Sequence, residues 1–192
     1  MGYAPLCPSC EAELGAGFSP TEFLADGGNE FADAMTALFP YDNYCAKKLI
    51  LLWKRADFPI FAPLFRPFFK AWQRKRGKQS FDFITFIPRS RSEKRRYGFD
   101  HAAHIAKAVA EEISVPFEEI LLRQGHSQKQ HYLSKEKRRK NVAGAFSCAK
   151  DLHGETVLLV DDIVTSGASA KECARVLKKA GAQKVFVLSV LH

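Results

Sequence analysis

The run TVLLVDDIVTSGASAKECARVLKKAGAQKVFVLSVL, residues 156–191, constrains the fold more than any other part of the chain. Two stretches rich in aliphatic and β-branched residues, TVLLV and KVFVLSVL, flank SAKECARVLKKAG, whose apolar positions recur at helical spacing and which ends at Gly181. Apolar runs of this kind read as strands buried on both faces, and a strand, a helix and another strand in that order make a right-handed crossover between parallel strands. Upstream, FDFITFIP (81–88) reads as a buried strand stopped by Pro88. The helix after it repeats Ala102, Ile105, Ala106, Val109, Ala110 and Ile113, with Asp100 at its N-cap and Pro116 beyond its end. FEEILLR (117–123) and AFSC add further strands. The series predicts an α/β fold, a mainly parallel sheet with helices on both faces.

The earlier residues read differently. CPSCEAELGAGFSP is turn-rich, and NEFADAMTALF suggests one short amphipathic helix. Residues 1–46 are therefore expected to be a small N-terminal appendage unable to fold alone, and residues 47–192 the main domain. KKLILLWKR and IFAPLFRPFFKAWQRK suggest two helices, followed by an exposed connection at RKRGKQ. The polar segment from Gln124 to Asn141 is long enough to be a flap over a site. No run of 18 apolar residues occurs and the N-terminus lacks a basic then apolar pattern, so neither membrane insertion nor a secretory leader is expected. Five cysteines, an odd number, with Cys173 inside an apolar helical stripe, fit a reducing, cytoplasmic setting.

Charge is unevenly spread: the net +8 combines −7 over residues 1–46 with +15 over the rest. Residues 66–96 hold eleven Lys or Arg against Asp82 and Glu93, and KEKRRK (135–140) is a second cluster. Such an excess points to phosphate-bearing partners, small anions or nucleic acid, while a solvated surface explains any single cluster equally well.

Within the crossover, Asp161 and Asp162 follow the apolar strand directly. In open α/β sheets ligands bind beyond the C-terminal strand ends, where this pair falls. Thr165 to Ser169 then turn into the next helix, whose free N–H groups and positive end suit a phosphate. Gly167 permits close backbone approach, and the hydroxyls of Thr165, Ser166 and Ser169 donate to phosphate oxygens. Adjacent carboxylates accept from vicinal hydroxyls, so the whole string suits a ribose 5-phosphate. The bland alternative, in which Asp161 begins a turn, Asp162 faces solvent and Ser169 is an ordinary N-cap, explains an isolated DD better than it explains the full register.

VLLVDDIVTSGAS resembles the phosphoribosyl pyrophosphate (PRPP) motif of type I phosphoribosyltransferases. IPRSRSEKRRYGFDHAAHIAKAVA, LLRQGHSQKQHYLSKEKRRKNVAGAF and ECARVLKKAGA narrow the resemblance to ComF-type proteins of bacterial competence and DNA uptake, with a weaker match over YDNYCAKKLILLWKR (41–55). The resemblance implies a Mg²⁺-dependent pentosyl transfer from PRPP to an unknown acceptor. It implies Asp161 and Asp162 on the ribose hydroxyls as the catalytic pair, Thr165, Ser166, Gly167, Ala168 and Ser169 on the 5-phosphate, and Pro88, Arg89, Ser90 and Arg91 as the pyrophosphate loop. Mg²⁺ would bridge ligand oxygens, with Asp161 and Asp162 holding it directly or indirectly. Arg89, Arg91 and the metal would balance the departing charge while the flap, Gln128 to Arg139, excludes water. DNA-uptake helicase and recombination-loading proteins are the partners the family implies.

Three departures stand out. The family's GFNQ is Gly98-Phe99-Asp100-His101 here, and its PQ in the flap is Lys129-Gln130. Its four-cysteine zinc finger is reduced to Cys7-Pro8-Ser9-Cys10. Two thiolates are half of a closed zinc site, so zinc at Cys7 and Cys10, completed by Cys45, a histidine or a second subunit, competes with a reduced metal-free pair. His101 and His104, three apart on one helix, read as packing residues rather than half of a metal pair. An ATP motor would need GxxxxGK[ST], which is missing, and a haloacid-dehalogenase phosphatase would need Asp-x-Asp. The rival with most support is a catalytically silent PRPP-responsive or single-stranded-DNA-binding module. RPFFKAWQRKRGK interleaves Phe68, Phe69 and Trp72 with cations, as stacking surfaces do, although core aromatics on a wet-faced helix explain it better.

Overall fold

The computed structural model describes residues 7–26, 28–54, 64–77, 79–90, 95, 98–124 and 142–192. In chain order these form α1 (Pro8–Ala16), β1 (Thr21–Glu22), β2 (Ala34–Phe39), α2 (Tyr44–Trp53), α3 (Arg66–Arg76) and β3 (Phe83–Phe86). Then come α4 (His101–Ile113), β4 (Leu121–Arg123), β5 (Phe146–Cys148), β6 (Thr156–Ile163), α5 (Ala168–Lys179) and β7 (Lys184–Leu191).

Five strands make the main sheet in the order β1-β2-β7-β6-β3, parallel throughout except for β1. The uninterrupted apolar strands take the interior positions because both their faces are covered. Side chains alternate across the sheet. On one side Leu158, Val160, Leu188 and Val190 pack with α2, α3 and α4. On the other Val157, Leu159, Val185 and Val187 meet α5 through Ala170, Cys173, Ala174 and Leu177. The α/β architecture with a mainly parallel sheet and helices on both faces is as the sequence predicts, and Cys173 is a fully buried core thiol.

The N-terminal third departs from the reading of its sequence. NEFADAMTALF was expected to be helical, but Ala34–Phe39 is a strand of the main sheet, antiparallel to β1 and parallel to β7. Phe31, Met35 and Leu38 do fall at helical spacing, yet hydrogen-bonded neighbours on both sides satisfy an extended backbone here. Part of the expected appendage is thus built into the sheet. CPSCEAELGAGFSP, expected to be turns, contains α1, where Pro8 occupies a first-turn position that needs no N–H and Leu14 is buried.

FEEILLR also differs in part. Phe117 makes one parallel bridge to Ile84, and only Leu121–Arg123 form a strand, paired with β5 in a separate antiparallel ribbon. Arginine and lysine residues follow the wet face of α3, while Phe69 and Trp72 are buried in the core. Among the described residues no helix is long and apolar enough to cross a membrane.

Candidate functional site

β3 and β6 run side by side in parallel register, Phe86 opposite Val160, so their C-terminal ends emerge together. Ile87 continues the ladder by donating its N–H to the Val160 carbonyl at 3.0 Å. The chain then turns through Pro88 to Arg89 on one strand and through Asp161 and Asp162 on the other. Arg89 Nη2 consequently reaches Asp162 Oδ2 at 2.7 Å. Lys54, directly after α2, brings Nζ to the same oxygen at 2.9 Å.

Asp162 is 5% exposed. Its Oδ1 accepts the Ile163 N–H, and Asp161 Oδ1 accepts the Asp162 N–H, each at 2.8 Å. Burial alone would raise the Asp162 carboxyl, but Lys54 and Arg89 outweigh it and hold the group below its ordinary value. Asp161 moves the other way: burial first and the Asp162 charge second push it well up. The pair is therefore split into one firmly ionised carboxylate and one that protonates readily.

The start of α4 supports both cations. Asp100 stands at the N-cap, as expected from sequence, but its side chain does not cap the helix; its Oδ2 accepts the Arg89 N–H at 3.0 Å. His101 is fully buried, and its Nε2 donates to the Trp53 carbonyl at 3.3 Å, one residue before Lys54. Burial, then the neighbouring Arg89 charge, lowers the His101 ring to about 4, so it is neutral at neutral pH. His101 and His104 both pack on Trp53 and Phe99, in the packing role their spacing suggests.

After Ile163 the chain enters the glycine turn. Gly167 has φ +73° at the N-cap of α5, and a Cβ there would come within 2.3 Å of the Ala25 Cβ. A side chain is excluded by conformation and by space. The Asp26 N–H donates to the Ser166 carbonyl at 3.1 Å, so the link between β1 and β2 lies against this turn. Thr165 is exposed and Ser166, Ala168 and Ser169 are half-buried, beside the open N–H groups of the first turn of α5. His192 braces the turn from behind: Nδ1 donates to the Val164 carbonyl at 3.0 Å while the ring stacks on Phe23 with centroids 3.7 Å apart.

This juxtaposition of strand-end carboxylates, glycine turn and helix terminus lies in a segment with relatives of known family. Residues 100–191 match the phosphoribosyl transferase domain. DNA utilization protein YhgH of Escherichia coli O157:H7 is 29% identical over 116 residues, 60% of this chain and 51% of that protein. Competence protein F of Haemophilus influenzae is 29% identical over 108 residues, 54% of this chain and 47% of its own. This segment is similar to the phosphoribosyl transferase domain, and the chain to competence proteins of the ComF type. It spans about half the length of these curated relatives. Adenine phosphoribosyltransferase from Saccharomyces cerevisiae, complexed with D-DIAB and adenine, aligns over 95% of this chain and 89% of its own at 15% identity, with a TM-score of 0.45.

Of the site residues expected from the sequence, Asp161, Asp162 and Arg89 meet directly, Ser90 follows Arg89, and residues 165–169 form the adjoining turn. Arg91, the Gln128 to Arg139 flap and KEKRRK lie outside the described residues. Lys54, Asp100 and His101 were not expected at the site. Lys54 does fall inside the weak family match at 41–55, the one sequence signal that pointed to it.

At the other end of the chain Cys7 is exposed and its thiol is lowered to about 7, first by the Ser9 hydroxyl; Cys10 is raised to about 11, first by its hydrogen bond with Cys7. The buried Cys45 thiol donates to the Cys10 carbonyl at 3.3 Å. Among the described residues no three His, Cys, Asp or Glu side chains cluster to hold a metal.

Proposed function

We propose that the protein binds PRPP with Mg²⁺ and transfers its phosphoribosyl group to an acceptor. One observation carries this reading: an ionised, buried Asp162 at a strand end, faced by two cations from separate elements and followed by a glycine turn at a helix N-terminus. Asp161 and Asp162 accept the ribose hydroxyls, the Thr165–Ser169 turn takes the 5-phosphate, and Arg89 with Ser90 faces the diphosphate.

In the transfer, the bond from ribose C1 to the diphosphate oxygen breaks and the electron pair leaves with diphosphate. C1 becomes positive and bonds to the acceptor atom, whose proton passes to solvent. The ionised Asp162 stabilises the positive ribose, while Arg89 stabilises the leaving group. Mg²⁺ would supply further charge neutralisation, with Asp161 and Asp162 holding it directly or indirectly beside the diphosphate. Cys7 and Cys10 supply two thiols where a closed zinc site needs four ligands, so a reduced, metal-free pair is the reading favoured over zinc.

The names of the relatives support a setting in DNA uptake or utilisation, with DNA-uptake helicase and recombination-loading proteins as candidate partners. Five free thiols fit the cytoplasm. A stacking surface for single-stranded DNA on α3 is disfavoured, because Phe69 and Trp72 are buried.

Thermal unfolding with and without PRPP and Mg²⁺ tests the reading. Ligand at about a hundred times its Kd adds about 2.7 kcal/mol, a shift of roughly 5–10 °C for a chain of this size. The shift is expected in wild type and lost in Asp161→Asn/Asp162→Asn. No shift in wild type over a range of Mg²⁺ rejects the proposal. Pyrophosphate release across a panel of nucleobases then identifies the acceptor.

A further inference from the structure

We infer that Lys54 is a substrate-binding residue that forms, with Arg89, a transferable cation pair: both sit on Asp162 before substrate arrives and pass to the C1 diphosphate as the ribose hydroxyls claim that carboxylate. The inference rests on the proposed reading of the site as a PRPP site.

The geometry sets up such an exchange. A carboxylate oxygen has two acceptor positions, and Asp162 Oδ2 faces Arg89 Nη2 at 2.7 Å and Lys54 Nζ at 2.9 Å. Oδ1 already takes the Ile163 N–H. Oδ1 keeps one acceptor position for a ribose hydroxyl, whereas a hydroxyl reaches Oδ2 only when a cation moves away. Neither cation is sealed in: the Lys54 and Arg89 side chains are 24% and 14% exposed, within reach of an anion arriving from solvent. A diphosphate offers both of them charge-assisted bonds in place of the one they leave, so ribose and diphosphate recognition become coupled.

The start of α4 keeps the pair in register. Asp100 accepts the N–H of Arg89, and His101 donates to the carbonyl of Trp53, the residue before Lys54. Two consecutive residues thus grip the main chain under both cations. A neutral His101 makes this contact without adding a third positive charge. Asp100 and His101 act through the cations, which makes them positioning residues.

The exchange also gives the site a preference. A ribose 5-phosphate lacking the C1 diphosphate must displace the cations with nothing to receive them. After transfer, departing diphosphate returns the pair to Asp162, which competes with the ribose hydroxyls and favours release.

Titration calorimetry with Mg²⁺ compares PRPP and ribose 5-phosphate on wild type, Lys54→Met, His101→Leu and His101→Gln. Lys54→Met is expected to weaken PRPP about ten- to a hundredfold, the worth of one hydrogen bond to a charged group, and to leave ribose 5-phosphate at least as tightly bound. His101→Leu is expected to lower PRPP affinity selectively, and His101→Gln, whose amide still donates to the Trp53 carbonyl, to restore it. Equal weakening of both ligands by Lys54→Met, or by His101→Leu where the former does not fold, makes these residues structural and overturns the exchange. Wild type binding neither ligand is a different failure, and it removes the PRPP reading itself.

Discussion

His101 is fully buried yet lies beside Arg89, Lys54 and Asp162, and its lowered pKa has a defined consequence for stability. The folded ring titrates at about 4, against an ordinary value of 6.5 in the unfolded chain. Between those values the unfolded state binds more protons, so folding stability falls as pH drops through this window and is flat above it. The expected loss is roughly 2 kcal/mol between pH 7 and 4, after discounting for solvent screening. Urea unfolding at several pH values checks it: His101→Gln, which cannot titrate, should lose correspondingly less than wild type. An identical pH dependence in both proteins assigns the acid sensitivity to other groups. Within Gly98-Phe99-Asp100-His101 the imidazole N–H reaches the Trp53 carbonyl, a contact that ties the start of α4 to the end of α2. That role leaves no local mark, since a histidine on an apolar helix face has the same appearance whether it braces a site or fills a core.

Among the elements, α3 separates two roles that its sequence mixes. RPFFKAWQRKR reads as a stacking platform with cations or, better, as a core helix with a wet face; the structure buries Phe69 and Trp72 and leaves Arg74 and Lys75 exposed. Phe69→Ala or Trp72→Ala should cost about 3–5 kcal/mol in urea unfolding, whereas Arg74→Glu/Lys75→Glu should stay within about 0.5 kcal/mol per substitution. A tolerant Trp72 would return the aromatics to the surface. The same comparison explains what was legible. β6, α5 and β7 announced themselves because both strands are buried on two faces and the helix between them keeps a clean apolar stripe. β2 did not, because Ala34, Met35, Ala37 and Leu38 are acceptable to either period, and only the pairing partners β1 and β7, supplied from elsewhere in the chain, decide for the strand. The carboxylates and the glycine turn were legible as one local string. Lys54 was hardly so, because an ion pair between the end of α2 and the end of β6 leaves no local pattern, and only the weak match at 41–55 covered it.

In the whole molecule, the division of charge along the chain is partly cancelled by folding. Asp33, from the acidic N-terminal stretch, pairs with Lys178 of α5 at 2.9 Å and accepts the Val185 N–H. Asp26 gives its carbonyl to Lys171 of the same helix. Elsewhere Glu111 and Glu112 of α4 pair with Arg66 and Lys70 in the first half of α3, whereas Arg74 and Lys75 in its last turn project from the wet face. If DNA touches this chain, the end of α3 is where electrostatics favours it, through phosphates and without base stacking. Filter binding of a single-stranded oligonucleotide over rising salt makes that quantitative. Replacing both cations in Arg74→Glu/Lys75→Glu should lower the magnitude of the log-affinity against log-salt slope by about 1.4, the value for two phosphate contacts on a single strand. The stabilisation by PRPP and Mg²⁺ should be unchanged in the same variant, because neither side chain belongs to the group around Asp162. An unchanged salt slope would remove the end of α3 as a DNA contact. Loss of the PRPP effect together with DNA binding would mean that the two ligands share one basic surface, and that the wet face of α3 belongs to the substrate site.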